Sequence, residues 1–144
     1  MGKLAQRLSD AARSGVYRTQ QITAVEDAVR GTRLDLAHAD LGGADSKEVM
    51  LERLALALGF PAWFGGNWDA LEDCLGDLGW RAGDGHVFLF TGHEDLPADD
   101  LGVLLDVLAS SAAYWAERGR PFFAVFVDAK HALALPELFR PKSA

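Results

Sequence analysis

Two short β-prone apolar runs, HVFLFT (His86–Thr91) and FFAVFV (Phe122–Val127), constrain the fold more than any other feature of the chain. A run as continuously apolar as FFAVFV belongs in the interior of a sheet. Between the two runs, Ala98 to Arg118 carries Leu101, Leu104, Leu105, Leu108, Ala112 and Trp115 at helical spacing, which lays one apolar face on that sheet. Gly119 and Pro121 end the helix. Upstream, TRLDLAH (Thr32–His38) alternates at Leu34 and Leu36 and predicts a strand. GADSKEVMLERLALALGF follows, with Ser46 as N-cap and Val49, Leu51, Leu54 and Leu58 as an apolar stripe that Gly59 and Pro61 terminate. Asn67 caps a second helix running to about Leu78, with Gly79 as its C-terminal turn. The order βααβαβ predicts an α/β fold: a small three-stranded parallel sheet with right-handed crossovers.

The flanks read differently. Residues 1–31 form an N-terminal extension in which VYR (Val16–Arg18) suits an added edge strand and Ile22 to Arg30 a helix, residues 32–130 form the main domain, and residues 131–144 form a tail. Two prolines in LALPELFRPKSA exclude a long helix there and predict irregular packing with a frayed end.

With 144 residues, 49% hydrophobic and 24% charged, the chain suits one ordinary folded core. The single cysteine, Cys74, excludes an intrachain disulfide and a cysteine zinc cluster and fits a reducing compartment. The N-terminus, MGKLAQRLSDAARSGVYRTQ, is basic and weakly amphipathic but lacks the apolar core of a secretory signal, and no apolar run approaches membrane-spanning length. MGKLAQ also lacks the Ser or Thr of a myristoylation signal. A soluble, cytoplasmic protein without membrane association, monomeric when free, is the expectation. The net charge of −7 argues against nucleic acid as the partner and in favour of a basic protein.

That charge is concentrated. Pro61 to Trp80 holds Asp69, Glu72, Asp73 and Asp77 and not one Lys or Arg. On a helix, Trp68, Leu71, Leu75 and Leu78 share one face, and the four carboxylates fall opposite. A solvated surface is the ordinary meaning of such a run. However, like charges at i, i+4 cost about 0.2–0.5 kcal/mol each, and Asp77 sits toward the negative end of the helix dipole. A face kept at that cost suits binding.

Catalysis fits less well. Two carboxylates acting as acid and base need different surroundings, whereas neighbours on one exposed helix face share theirs. His38, His86, His93 and His131 have no metal-ligand spacing and read as surface or strand-end residues; Cys74 reads as a small core thiol. FGGN and AGDG match no nucleotide-binding loop. No catalytic residue, metal or cofactor is therefore expected, and a carboxylate or metal-dependent hydrolase is the weakest reading. Trp80 and Trp115 each end an apolar helical pattern and suit the core, while Trp63 and Phe64 in AWFGGN suit packing and interface anchoring equally.

PAWFGGNWDALEDCL (Pro61–Leu75) closely resembles the segment of barstar-family ribonuclease inhibitors that reads Pro, two aromatics, Gly, any residue, Asn, an apolar residue, Asp-Ala-Leu, any residue, Asp-Cys-Leu. The likeness extends in element order from about Thr32 to Val127. It implies a small parallel sheet flanked by helices, and an inhibitor that pushes this helix and its preceding loop into a ribonuclease active site. Asp73 then matches the family's central plug carboxylate, Asp69 its second helix-borne acid, Trp63 its interface aromatic and Asn67 the asparagine opening the helix. With Gly65, Glu72 and Asp77, these make up the expected partner-contacting set. Glu72 stands where the family pattern has an aromatic, and Tyr114 and Arg118 stand where further acids are expected, so the partner differs in detail. A module of the same fold that binds another basic protein through this face is the alternative.

Overall fold

In the computed structural model, which describes residues 2–139, four strands form one parallel sheet in the order β1-β4-β3-β2. They are β1 (Gly15–Thr19), β2 (Leu34–Asp40), β3 (Gly85–Thr91) and β4 (Phe122–Val127). The sheet therefore has four strands rather than three. The fourth, β1, contains the Val16–Arg18 segment and pairs with β4 from Gly15↔Phe123 to Thr19↔Val127. The apolar β4 explains why: without β1 its backbone would form an open edge.

Alternation along the strands sends side chains to two cores. Val87, Leu89, Phe123 and Val125 face α1 (Lys3–Leu8) and α2 (Ile22–Val29), which contribute Leu8, Val25 and Val29. Phe88, Phe90, Phe122, Ala124 and Phe126 face the other way, onto α3 (Lys47–Leu58), α4 (Trp68–Asp77) and α5 (Ala98–Glu117). Helices cover both faces, as a fully buried parallel sheet requires.

Local boundaries follow side-chain chemistry where caps exist and long-range pairing where they do not. Ser46 Oγ accepts the Val49 N–H at 3.2 Å to start α3, and Gly59, at φ 66°, ends it. β2 begins two residues later than its alternation suggests because its register with β3 runs from Leu34↔Gly85 to Asp40↔Thr91. At the end of α4 the left-handed residue is Leu78, at φ 53°, and not Gly79. Burial of the Leu78 side chain, 2% exposed, offsets the strain of that conformation. The tail is irregular but anchored. Leu138 is buried in the core of α1 and α2, Glu137 bridges to Arg18 beside β1, and Arg18 Nε donates to the Leu135 carbonyl at 2.9 Å. The frayed end expected beyond it lies outside the described residues.

Two of the histidines are buried: His86 is a strand-end residue at the start of β3, and His93 follows the end of that strand in a short turn and is not at the surface. His93 packs edge-on against Phe126, with Nε2 3.6 Å from the equally buried Asp128. His86 Nδ1 lies 2.8 Å from Asp35 Oδ2, its partner across the β2–β3 ladder. Arg81 completes this cluster by donating from Nε and Nη2 to both Asp35 oxygens, at 2.6 and 3.0 Å. Burial pushes the Asp35 carboxyl upward, but the hydrogen bonds from His86 and Arg81, reinforced by their charges, outweigh it and hold the group below its ordinary value of 3.8. A depressed carboxylate stabilises the fold above its unfolded pKa and loses that contribution as pH falls through the folded one. Asp35→Asn is expected to cost about 2 kcal/mol at neutral pH. The gap between wild type and variant should close as the pH drops below about 4. Denaturant unfolding across pH 2–7 checks this, and a gap that does not change with pH would contradict the role given to Asp35.

Candidate protein-binding site

The acidic helix α4 is fixed from three sides. Asn67 Oδ1 accepts the Ala70 N–H at 2.8 Å and sets its first turn. Leu71, Cys74 and Leu75 are buried along its inner face. Near its end, Trp115 Nε1 donates to the Leu75 carbonyl at 2.7 Å, so a residue of α5 satisfies one of the carbonyls that a helix C-terminus leaves free. Trp80 does the same for α3, donating to the Leu58 carbonyl at 2.9 Å. The two tryptophans thus act as braces, with part of each ring exposed.

On the outer face Asp69, Glu72, Asp73 and Asp77 are all exposed, and among the described residues none forms an ion pair. Asp77 Oδ1 accepts the Gly79 N–H at 3.0 Å, which ties the last acid to its own turn. The field of these acids reaches inward. Burial first, then the charges of Asp73 and Asp77, push the Cys74 thiol up to about 11. Cys74 therefore stays protonated at neutral pH and is no nucleophile.

A groove of about 350 Å³ runs between α4 and α5, lined by Glu72, Asp73 and Gly76 on one side and by Ser110, Ser111 and Tyr114 on the other. A methyl group at Gly76 would meet nothing within 4 Å, so the glycine leaves this groove open. The serine pair escaped sequence reasoning. Its only signal was two small polar residues interrupting the apolar stripe of α5. Tyr114 is covered by Arg118, whose guanidinium carbon lies 3.5 Å from the ring centroid and whose Nη1 donates to the Tyr114 carbonyl at 2.9 Å. This cation stacks on the ring and makes no ion pair with the acids of α4.

The loop before α4 adds an aromatic rim. Trp63 is 55% exposed and meets Trp80 edge-on at 6.4 Å, while Phe64 turns inward against Phe60 at 4.9 Å. Of this aromatic pair, Phe64 therefore packs into the core and Trp63 stays at the surface. Gly65 is exposed, and a methyl group there would sit 3.7 Å from Asn67 Nδ2, an ordinary contact. Gly66, at φ 71°, is the residue whose backbone requires glycine. The structure therefore brings Trp63, Gly65, Asn67, Asp69, Glu72, Asp73 and Asp77 together on one loop and one helix face.

Among the described residues no group of three or more His, Cys, Asp or Glu could hold a metal ion, and no helix is long and apolar enough to cross a membrane. The Asp35–His86 contact has the form of an acid–base pair. Both oxygens of that carboxylate already accept from Arg81, however, and His86 is 1% exposed at the start of β3.

Comparison with solved structures finds a likeness to the Aeropyrum pernix ORC2 protein, described in ADPNP–ADP complexes, at TM-score 0.52 and 16% identity. The match covers 85% of this chain but 38% of that one, and it speaks for the fold alone. No curated protein matches the sequence. The family model described as Barstar (barnase inhibitor) matches residues 34–127, from the first residue of β2 to the last of β4 and including the whole of α4. With well over half of its length matched, the chain belongs to the barstar family of inhibitors.

Proposed function

We propose that this protein inhibits a basic ribonuclease by occupying its active site with α4 and the loop that precedes it, giving the producing cell immunity to its own or an injected enzyme from within the cytoplasm. The observation that carries this reading is four exposed carboxylates on a helix whose opposite face is locked into the core, with no cation among the described residues paired to any of them. A ribonuclease site gathers Lys, Arg and His to hold phosphate. A rigid carboxylate array can satisfy those cations in place of RNA, and because it is already ordered it loses little entropy on binding.

Asp73 takes the central place: it lies mid-helix and borders the α4–α5 groove. Asp69 and Glu72 flank it, Asp77 lies at the helix end, and Trp63 is the exposed aromatic anchor. Asn67 and Gly65 shape the loop. The protein itself carries out no turnover and needs no metal in this reading.

Tyr114 and Arg118 favour a partner that differs from the family's best-known pattern. The stacked Arg118 places a positive charge beyond the acids, so the cations that the partner directs at α4 must end before it reaches that corner. The alternative of a non-inhibitory module binding another basic protein uses the same face and differs only in whether RNA cleavage is blocked.

The direct test mixes the purified protein with small basic microbial ribonucleases and measures residual RNA cleavage. At least one should be inhibited stoichiometrically. Inhibition of none, with tight binding to another basic protein, would support the alternative. For the inhibited enzyme, Asp73→Ala should weaken binding by about 2 kcal/mol or more through faster dissociation, a size set by analogy with central charges at the interfaces of barstar-family inhibitors. Asp77→Ala should cost less than about 1 kcal/mol, as a screened rim charge does. Equal losses, or an Asp73→Ala loss that tracks a lowered melting temperature, would contradict a central plug. Raising ionic strength from low to physiological should slow association and change dissociation less. A flat association rate would show that the acids of α4 do not steer the encounter.

A further inference from the structure

Charge in this chain is segregated by position. Residues 1–33 carry six Lys and Arg against three Asp and Glu, and the remainder carries eight against eighteen. Two helices of the basic part, α1 and α2, fold onto the face of the sheet opposite α4, where they share a core with Val87, Leu89, Phe123 and Val125, while the Ala11–Arg13 turn meets α5. A groove of about 430 Å³ opens there, bordered by Lys3 and Arg7 on α1 and by Arg13 on the short turn that follows, with Leu4 and Phe139 among its walls. Among the described residues none of these three cations forms an ion pair. Asp10, the one acid on the groove, directs its carboxylate to the Ala12 N–H at 3.0 Å.

The unpaired state is informative because it is avoidable. Arg18, nearby, is held by Glu137, by the Leu135 carbonyl and by His131, so cations of this region that serve the fold have partners. Lys3 and Arg7 instead stand one turn apart with like charge, at the same kind of cost that α4 bears on the other side of the molecule. Ala5 and Leu8 bury the inner side of α1 and leave both cations outside.

We infer that this groove is a second interaction surface and that it docks an acidic segment of another protein, one that presents carboxylates flanking an apolar side chain. Lys3, Arg7 and Arg13 receive the carboxylates, while Leu4 and Phe139 offer the apolar side chain a dry contact. A nucleic-acid strand fits less well. Its affinity would rest on a few phosphate contacts, against the repulsion of a protein with net charge −7. Because α1, which carries Lys3, Leu4 and Arg7, lies on the face of the sheet opposite α4, the groove can be occupied while α4 holds its partner. The chain then links two proteins.

The test is a backbone NMR titration of the full-length protein with a synthetic peptide of Asp and Glu residues around a central Leu, and separately with a single-stranded RNA of equal length. The peptide should bind saturably, shift the resonances of Lys3 to Arg13 and Phe139, leave those of α4 in place, and bind more tightly than the RNA. The double variant Lys3→Glu, Arg13→Glu should weaken the peptide about tenfold. Lys3→Glu puts an acid in the first helical turn, where the dipole favours it, so folding should survive. Should that variant unfold, Lys3→Gln, Arg13→Gln serves instead and should also weaken binding. An absence of saturable shifts, shifts outside the groove, tighter binding of the RNA, or unchanged affinity in a folded variant would each overturn the inference.

Discussion

The rest of the structure depends on the side-by-side pairing of β3 and β4, two strands with almost no polar side chain on either face. Their parallel ladder, from His86↔Phe122 to Phe90↔Phe126, buries both faces and requires a helical layer on each. One layer, α1 and α2, is supplied by the N-terminal residues, which also close the β4 edge through β1. The other layer is α3, α4 and α5. The acidic helix is one of the three helices of that layer, held by its buried inner face, by the Asn67 cap and by the Trp115 brace from α5.

This arrangement lets α4 carry an unfavourable surface. Repulsion among its acids costs on the order of a kilocalorie per mole in total, whereas burying Leu71 and Leu75 contributes about 1.5–3 kcal/mol for each side chain. Packing therefore wins, and the carboxylates stay at fixed spacing without counter-ions. The braces matter for the same reason: Trp115 ties down the carbonyl end of α4, and Trp80 ties down that of α3, from which the loop of residues 60–66 leads to α4 with Trp63 exposed. A partner meets a surface that is already arranged, which is the condition under which charge complementarity becomes affinity.

Much of this was legible because it is local. Ser46 and Asn67 cap their helices through their own side-chain oxygens, three residues from the N–H they accept, and short-range sequence carries that information completely. The end of α4 near Leu78 was legible too, but not which residue makes its left-handed turn, because burial of that leucine overrode the preference of the adjacent Gly79. Nor was the cluster of Asp35, Arg81 and His86, whose members meet only once β2 and β3 are in register. On the candidate site, the acids of α4 lie within one helix and could be read together, while Ser110, Ser111 and Tyr114 reach the same groove from α5 and become neighbours only through helix packing. The fourth strand was visible in Val16–Arg18 as an added edge strand, but its place beside β4 depends on pairing between residues far apart in the chain.

In the proposed mode of inhibition, α4 and a phosphate group compete for the same cations of the partner. The decisive measurement is the affinity of this protein for a ribonuclease found to be inhibited by it, taken while titrating a nucleotide monophosphate that occupies the enzyme's active site. Under such competition the apparent Kd should rise in proportion to the nucleotide once its site fills, and Asp73→Ala, which removes the central competing charge, should narrow the difference between the nucleotide-free and nucleotide-filled enzyme. An affinity indifferent to bound nucleotide would contradict it.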